Sequence, residues 1–234
     1  MKAYKTNLIL IFLLLGISPW AFSASAEMSS KHLRLVKDLM NNNLAYSQDA
    51  TTTNIIEWEE EIVDSLRQKK DYRNMFLMKQ MAVYAYSLQA KISEALKKAD
   101  AMMDEARLMK YNIGISLSYQ ALGDIYLNAG MRPEAVEEYE KAMKTLQATP
   151  HAEKIQERIF IQLVPTLIKL KRMDEAKAYL EHMSEICESK CLSPFLLYAY
   201  HAYYYLRNND LSKAREYIDC LLYTSDAADE ARSV

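Results

Sequence analysis

Residues 116–149 read SLSYQALGDIYLNAGMRPEAVEEYEKAMKTLQAT. Tyr119, Leu122, Gly123 and Tyr126 recur at steps of three and four residues, as do Ala135, Tyr139 and Ala142. That spacing places each set on one face of a helix. Asn128-Ala129-Gly130 separates the two sets, and Gly130 can take the left-handed conformation that closes a helix C-terminus. Arg132-Pro133-Glu134 follows, with the Pro in a first turn, where a missing N–H forfeits no hydrogen bond. Pro150, just past the second set, stops that helix. Gly123 and Ala135 are small, so the two helices cross closely there. Tyr119, Tyr126 and Tyr139 fill the space around the crossing and reach the neighbouring pair.

The same phrase recurs along the chain. Ala95, Ala135, Ala176 and Ala214 are separated by 40, 41 and 38 residues. They sit in Ile92-Ser93-Glu94-Ala95, Arg132-Pro133-Glu134-Ala135, Met173-Asp174-Glu175-Ala176 and Leu211-Ser212-Lys213-Ala214. Each phrase carries polar or Pro residues suited to a first helical turn, so each is read as a helix start. The third and fourth follow short polar turns, Lys171-Arg172 and Asn208-Asn209-Asp210. The positions that match Tyr119, Leu122, Gly123 and Tyr126 are Lys79, Ala82, Val83 and Tyr86 in the first unit. In the third they are Phe160, Leu163, Val164 and Leu167, with Pro165 expected to kink the helix, and in the fourth Tyr198, His201, Ala202 and Tyr205.

A bulky residue, Leu-Gly, Tyr, Ala, an aromatic and Ala in this order resemble the tetratricopeptide repeat, over about residues 76–219. The resemblance implies an all-α fold, a right-handed solenoid of antiparallel helix pairs, with about four repeats across residues 71–219. Only the second unit has the Gly. A period of ~40 residues, against about 34 for the usual repeat, calls for longer helices or an extra turn. Residues 27–70 show helical spacing at Leu33, Val36, Leu39 and Met40 and again at Ile55, Ile56, Ile62, Val63 and Leu66. Asn41-Asn42-Asn43 and Thr51-Thr52-Thr53 interrupt it, and we read a divergent helical pair that caps the array.

Composition agrees and excludes other classes. The chain is 50% hydrophobic, enough to fill a core and too much for a disordered tail. Four Gly and five Pro in 234 residues argue against an all-β protein and against a Gly-rich phosphate cradle. A net charge of −2 lacks the basic face that nucleic acid requires.

Both ends read as foreign to the fold. Residues 1–26 have the form of an export signal: Lys2 and Lys5, an apolar run from Leu8 to Ile17, and Ala24-Ser25-Ala26 as a small-residue cleavage site before Glu27. The run would span roughly 15 Å as a helix, about half a bilayer core, which favours a cleaved signal over an anchor. A mature chain from Glu27 in an oxidising, periplasmic or otherwise extracytoplasmic compartment is expected. At the other end, Cys220 to Glu230 resembles a translated sequencing adapter, the transposase mosaic end read in one frame, matching residue by residue. The native chain is therefore expected to stop near Asp219 and the gene to continue. Residues 220–234 are expected to be a non-native tail, poorly ordered after about Tyr223.

No catalytic constellation emerges. His32, His151, His182 and His201 are scattered, and none forms a metal-binding i, i+4 pair. His182 with Cys187 and Cys191 matches no zinc spacing, and no nucleophile elbow, Walker or dinucleotide fingerprint occurs. We expect no enzyme, metal or cofactor in these residues. Cys187 and Cys191 are close enough for a disulfide stiffening a helix junction, and the alternative of two free thiols stays open.

In the repeat family the first helices line a concave groove. The resemblance places Gln80, Tyr84, Gln120, Asp124, Asn128, Lys169, Tyr203 and Arg207 there, where a protein or peptide partner would lie. Tyr198, Tyr200, Tyr203, Tyr204 and Tyr205 crowd one first helix and cannot all face inward. An export signal followed by degenerate repeats is similar to the periplasmic sensor regions of two-component histidine kinases of Bacteroidetes-type bacteria. That implies a ligand- or protein-sensing module, with a membrane helix and kinase in the missing part. The alternative is a free-standing periplasmic scaffold or assembly protein. Contact with the membrane is expected only through that missing segment or an uncleaved signal.

Overall fold

The computed structural model describes residues 48–190 and 194–230, with side chains over 55–186 and 196–222. Its elements are α1 (Gln48–Gln68), α2 (Tyr72–Leu88), α3 (Ile92–Leu108), α4 (Asn112–Asn128), α5 (Arg132–Leu146), α6 (Glu153–Lys169), α7 (Met173–Lys190), α8 (Pro194–Arg207) and α9 (Leu211–Glu230). No strand occurs among the described residues. The fold is all-α, built of helix pairs. The four recurrent phrases open α3, α5, α7 and α9 at their first residues, and all four alanines are buried.

The period has a simple origin. Helices α2, α3 and α4 are each 17 residues long and are joined by three-residue turns. Each turn holds one residue in the left-handed region: Lys70, Ala90, Lys110, Gly130, Lys171 or Asn209. In every case that residue's N–H donates to the carbonyl three residues back and the next N–H donates five residues back, as with Ala90 to Ser87 and Lys91 to Tyr86. This is the Schellman closure, which satisfies the free carbonyls at a helix end. The residue after it is the N-cap of the next helix. Asp71 and Asp210 there also accept from the Asn74 and Lys213 N–H groups. Gly130 is the one glycine among these six, while Lys171 and Asn209 fall in the short polar turns read from the sequence.

The chain divides into two compact units, the first ending at Ile155 and the second starting at Gln156. In the first, α1 packs on α2, α2 on both α3 and α4, α3 on α4, and α4 on α5. Contact between the first helices of successive pairs makes this a stack of hairpins rather than a bundle. Val83, Ala95, Ala99, Ala121 and Ile125 form a shared core, drawn from α2, α3 and α4. In the second unit, Phe160 of α6 meets Tyr179 and His182 of α7, α8 packs on α7 and α9, and the Tyr200 hydroxyl donates to the Ile161 carbonyl at 3.0 Å.

Two sequence expectations change. Thr51-Thr52-Thr53 lies inside α1 instead of interrupting it. β-Branched residues reduce helix propensity by only tenths of a kcal/mol, and burial of α1 against α2 outweighs that. Helix α9 continues to Glu230, past Asp219 and past the expected start of a tail at Tyr223, through Asp226-Ala227-Ala228-Asp229-Glu230, whose alanines are strong helix formers. Residues 1–26, the first part of the 27–70 segment and Cys191 lie outside the described residues, as does the Cys187 side chain. No helix among the described residues is long and apolar enough to cross a membrane.

Candidate functional site

Helices α2 and α4 lie side by side, and their seam gathers five of the eight candidates. The Gln80 Nε2 donates to Asp124 Oδ2 at 2.7 Å, and the Tyr139 hydroxyl of α5 donates to Oδ1 at 2.7 Å. Gln80, Asp124 and Tyr139 are buried. A carboxylate taken out of water is tolerable only when its lone pairs are satisfied, and these two donors hold it in one orientation. Burial and then the Asp124 charge push the Tyr139 hydroxyl well above its ordinary pKa, so it stays a proton donor.

The close approach of Tyr139 explains the glycine before Asp124. A Cβ at Gly123 would stand 2.5 Å from Tyr139 Cε1, so the ring lies on bare backbone. The expected close crossing is real, and a hydrogen bond is set into it. Gln120, one turn earlier on α4, is also buried, and its Oε1 has no hydrogen-bond partner.

Above this network, Tyr84 and Asn128 are exposed. Asn128 Nδ2 donates to Ser87 Oγ at 2.8 Å, and that hydroxyl donates to the Tyr84 carbonyl at 2.8 Å. The pair is thereby tied across α2 and α4. Partial burial and then the nearby Asp124 charge raise the Tyr84 pKa. The seam thus presents an aromatic ring and a carboxamide on a braced polar base. Neither group is a nucleophile with a base beside it.

The other three candidates belong to the second unit. Lys169 and Arg207 are exposed in the last turns of α6 and α8, and Tyr203 is half-buried on α8. Among the five tyrosines of α8, Tyr204 is buried and the rest are half-buried. His201 is stacked on Tyr217 of α9, with ring centroids 4.6 Å apart and 9° between planes, and its Nε2 lies 3.2 Å from Ser184 Oγ. Tyr205 extends the stack, 5.6 Å from Tyr217. His182 faces Phe160 and Glu185. Among the described residues no three metal-ligating side chains converge.

With stacked hairpins and a Gly123–Tyr139 crossing in view, comparison with known families has a definite result. Residues 117–145 match the tetratricopeptide repeat. That stretch covers most of α4 and nearly all of α5, and it includes Gly123, Asp124, Ala135 and Tyr139. No curated protein matches the chain. The repeat supports a protein–protein interaction module, a class of domain that is generally non-catalytic.

The sequence pattern pointed to Gly123 and Tyr139 as packing residues. It missed that Tyr139 and Gln80 converge on Asp124, because no local spacing reports a contact between residues 44 apart. It also missed the His201–Tyr217 stack.

Proposed function

We propose that the chain is the exported interaction region of a longer signalling protein and that the α2–α4 seam is its recognition face in the first unit. The observation that carries this reading is the contrast within the seam. Gln80, Asp124 and Tyr139 are locked underneath, while Tyr84 and Asn128 stand above them in contact with solvent. The Asn128 amide, fixed by its bond to Ser87, loses little entropy on binding a peptide backbone or a partner helix, and the Tyr84 ring adds a solvent-facing aromatic surface beside it. Lys169, Tyr203 and Arg207 are the corresponding candidates of the second unit. The signal-like form of residues 1–26 supports a periplasmic setting, and the similarity of a leader followed by degenerate repeats to periplasmic sensor regions supports the signalling reading.

The test is affinity capture from periplasmic extract with the immobilised protein and its Tyr84→Ala/Asn128→Ala variant. Both positions are exposed, so the fold should be kept, and circular dichroism checks that. A partner recovered by the parent and lost by the variant is the expected result; equal recovery removes the seam from consideration. The undamaged locus separates signalling from the scaffold alternative, because a stop codon soon after Asp219 would leave no room for a kinase.

A further inference from the structure

Hairpin α8–α9 repeats hairpin α2–α3 at a constant offset, since Ala82 matches His201, Ala95 matches Ala214 and the left-handed Ala90 matches Asn209. Burial at matched positions differs in one direction. Ala99 is 0% exposed and Ile218 44%. Ser87 is 4% exposed and Leu206 52%. What covers the earlier positions is α4: Ala99 shares a core with Ala121 and Ile125, and Ser87 Oγ accepts from Asn128. Leu211, the match of the partly buried Ile92, is 64% exposed as well. Thus α8–α9 carries the apolar positions of a seat that α2–α3 uses, with larger side chains in place of Ala99 and Ser87.

We propose that the outer face of α8–α9 seats one further hairpin of the same repeat, belonging to the same polypeptide in the intact gene product. The face continues an interface already present between α2–α3 and α4. Its occupant is therefore a helix of the α4 kind, with small residues where Gly114 and Ala121 stand and apolar ones where Leu117 and Ile125 stand. Leucines at Leu206 and Leu211 and an isoleucine at Ile218 make the seat more apolar than its counterpart, as a covered surface requires. The inference does not depend on the recognition role of the α2–α4 seam.

The experiment compares the present chain with the product of the undamaged gene, each as parent and as Ile218→Asp. In the present chain the side chain is half in water and the variant should shift Tm by less than about 2 °C. In the intact product an Asp buried under a following helix should lower Tm by more than about 5 °C. Hydrogen exchange of the two parents needs no variant: amides of α9 should exchange at least tenfold more slowly in the intact product. Equal shifts together with equal exchange overturn the proposal. So does a gene whose continuation lacks helical apolar periodicity, and so does a present chain that light scattering shows to be a dimer dissociated by Ile218→Asp. Either seam result in the capture experiment leaves this comparison unaffected.

Discussion

Asp124 organises the seam because it is a buried carboxylate, and a buried carboxylate dictates what surrounds it. Replacing Tyr139 by Phe keeps the ring on Gly123 but removes one of its donors. Urea unfolding should show a loss of about 1–3 kcal/mol, the penalty for a buried group deprived of a partner. Gly123→Ala fails for another reason. Its new methyl group meets a ring that cannot retreat without releasing Asp124, and a loss of about 1–3 kcal/mol is expected from overpacking. The two effects should not add in the double variant, because both act on one contact. His201 offers a residue-scale test in pH. Burial holds its imidazole below the ordinary value of 6.5, only partly opposed by the Glu181 carboxylate. The groups facing it are Ser184 and Glu181 from α7, Tyr205 on α8 and Tyr217 on α9. The unfolded chain therefore binds the proton more readily than the folded one. Stability is full above pH 6.5 and falls as pH drops below it toward the lower folded value. Urea midpoints between pH 7 and 5.5 should fall less in His201→Gln than in the parent.

At the scale of the element, the recurrent unit is one helix plus one Schellman turn, and the turn tolerates a strained residue. Five of the six three-residue turns place Lys, Ala or Asn at positive φ, where an L side chain crowds its own carbonyl. The hydrogen bonds on either side hold them there. Nothing lies within 4 Å of a Cβ added at Gly130, so Gly130→Ala isolates the backbone term and should cost about 1 kcal/mol. Ala90→Gly makes the opposite change at the matching position of the α2–α3 turn and should raise stability by about 0.5 kcal/mol, after the entropy gained by the unfolded chain is deducted. Thermal unfolding of the pair of variants checks both signs. The Thr51-Thr52-Thr53 stretch teaches a related lesson: weak local propensity is overruled when a helix has a partner to cover its apolar face.

At the scale of the whole molecule, the two units repeat one structural idea with different surfaces. The first offers a braced polar seam, the second an aromatic stack and an uncovered apolar face. The proposed export concerns the whole chain and has a direct readout. Expressed with its own leader in a bacterial host, the protein recovered from the periplasm should begin at Glu27, as intact mass will show. Retention of residues 1–26 would replace the periplasmic setting by an anchored one.

Helix positions, pairing and period were open to reading because they rest on local chemistry: small residues at crossings, polar first turns, a spacing of three and four. The burial of all four repeat alanines followed from the same pattern. Of the candidate site, Tyr84 and Asn128 could be found by repeat position, but that position also selected Gln80 and Asp124 without revealing that they bond to each other. Local spacing says which face a residue occupies, not what arrives opposite it. Whether a polar side chain on an inward face meets a donor, as Asp124 does, or an apolar one stays in water, as Ile218 does, depends on neighbours distant in sequence. Only packing of one helix against another decides that, because burial is a property of the pair.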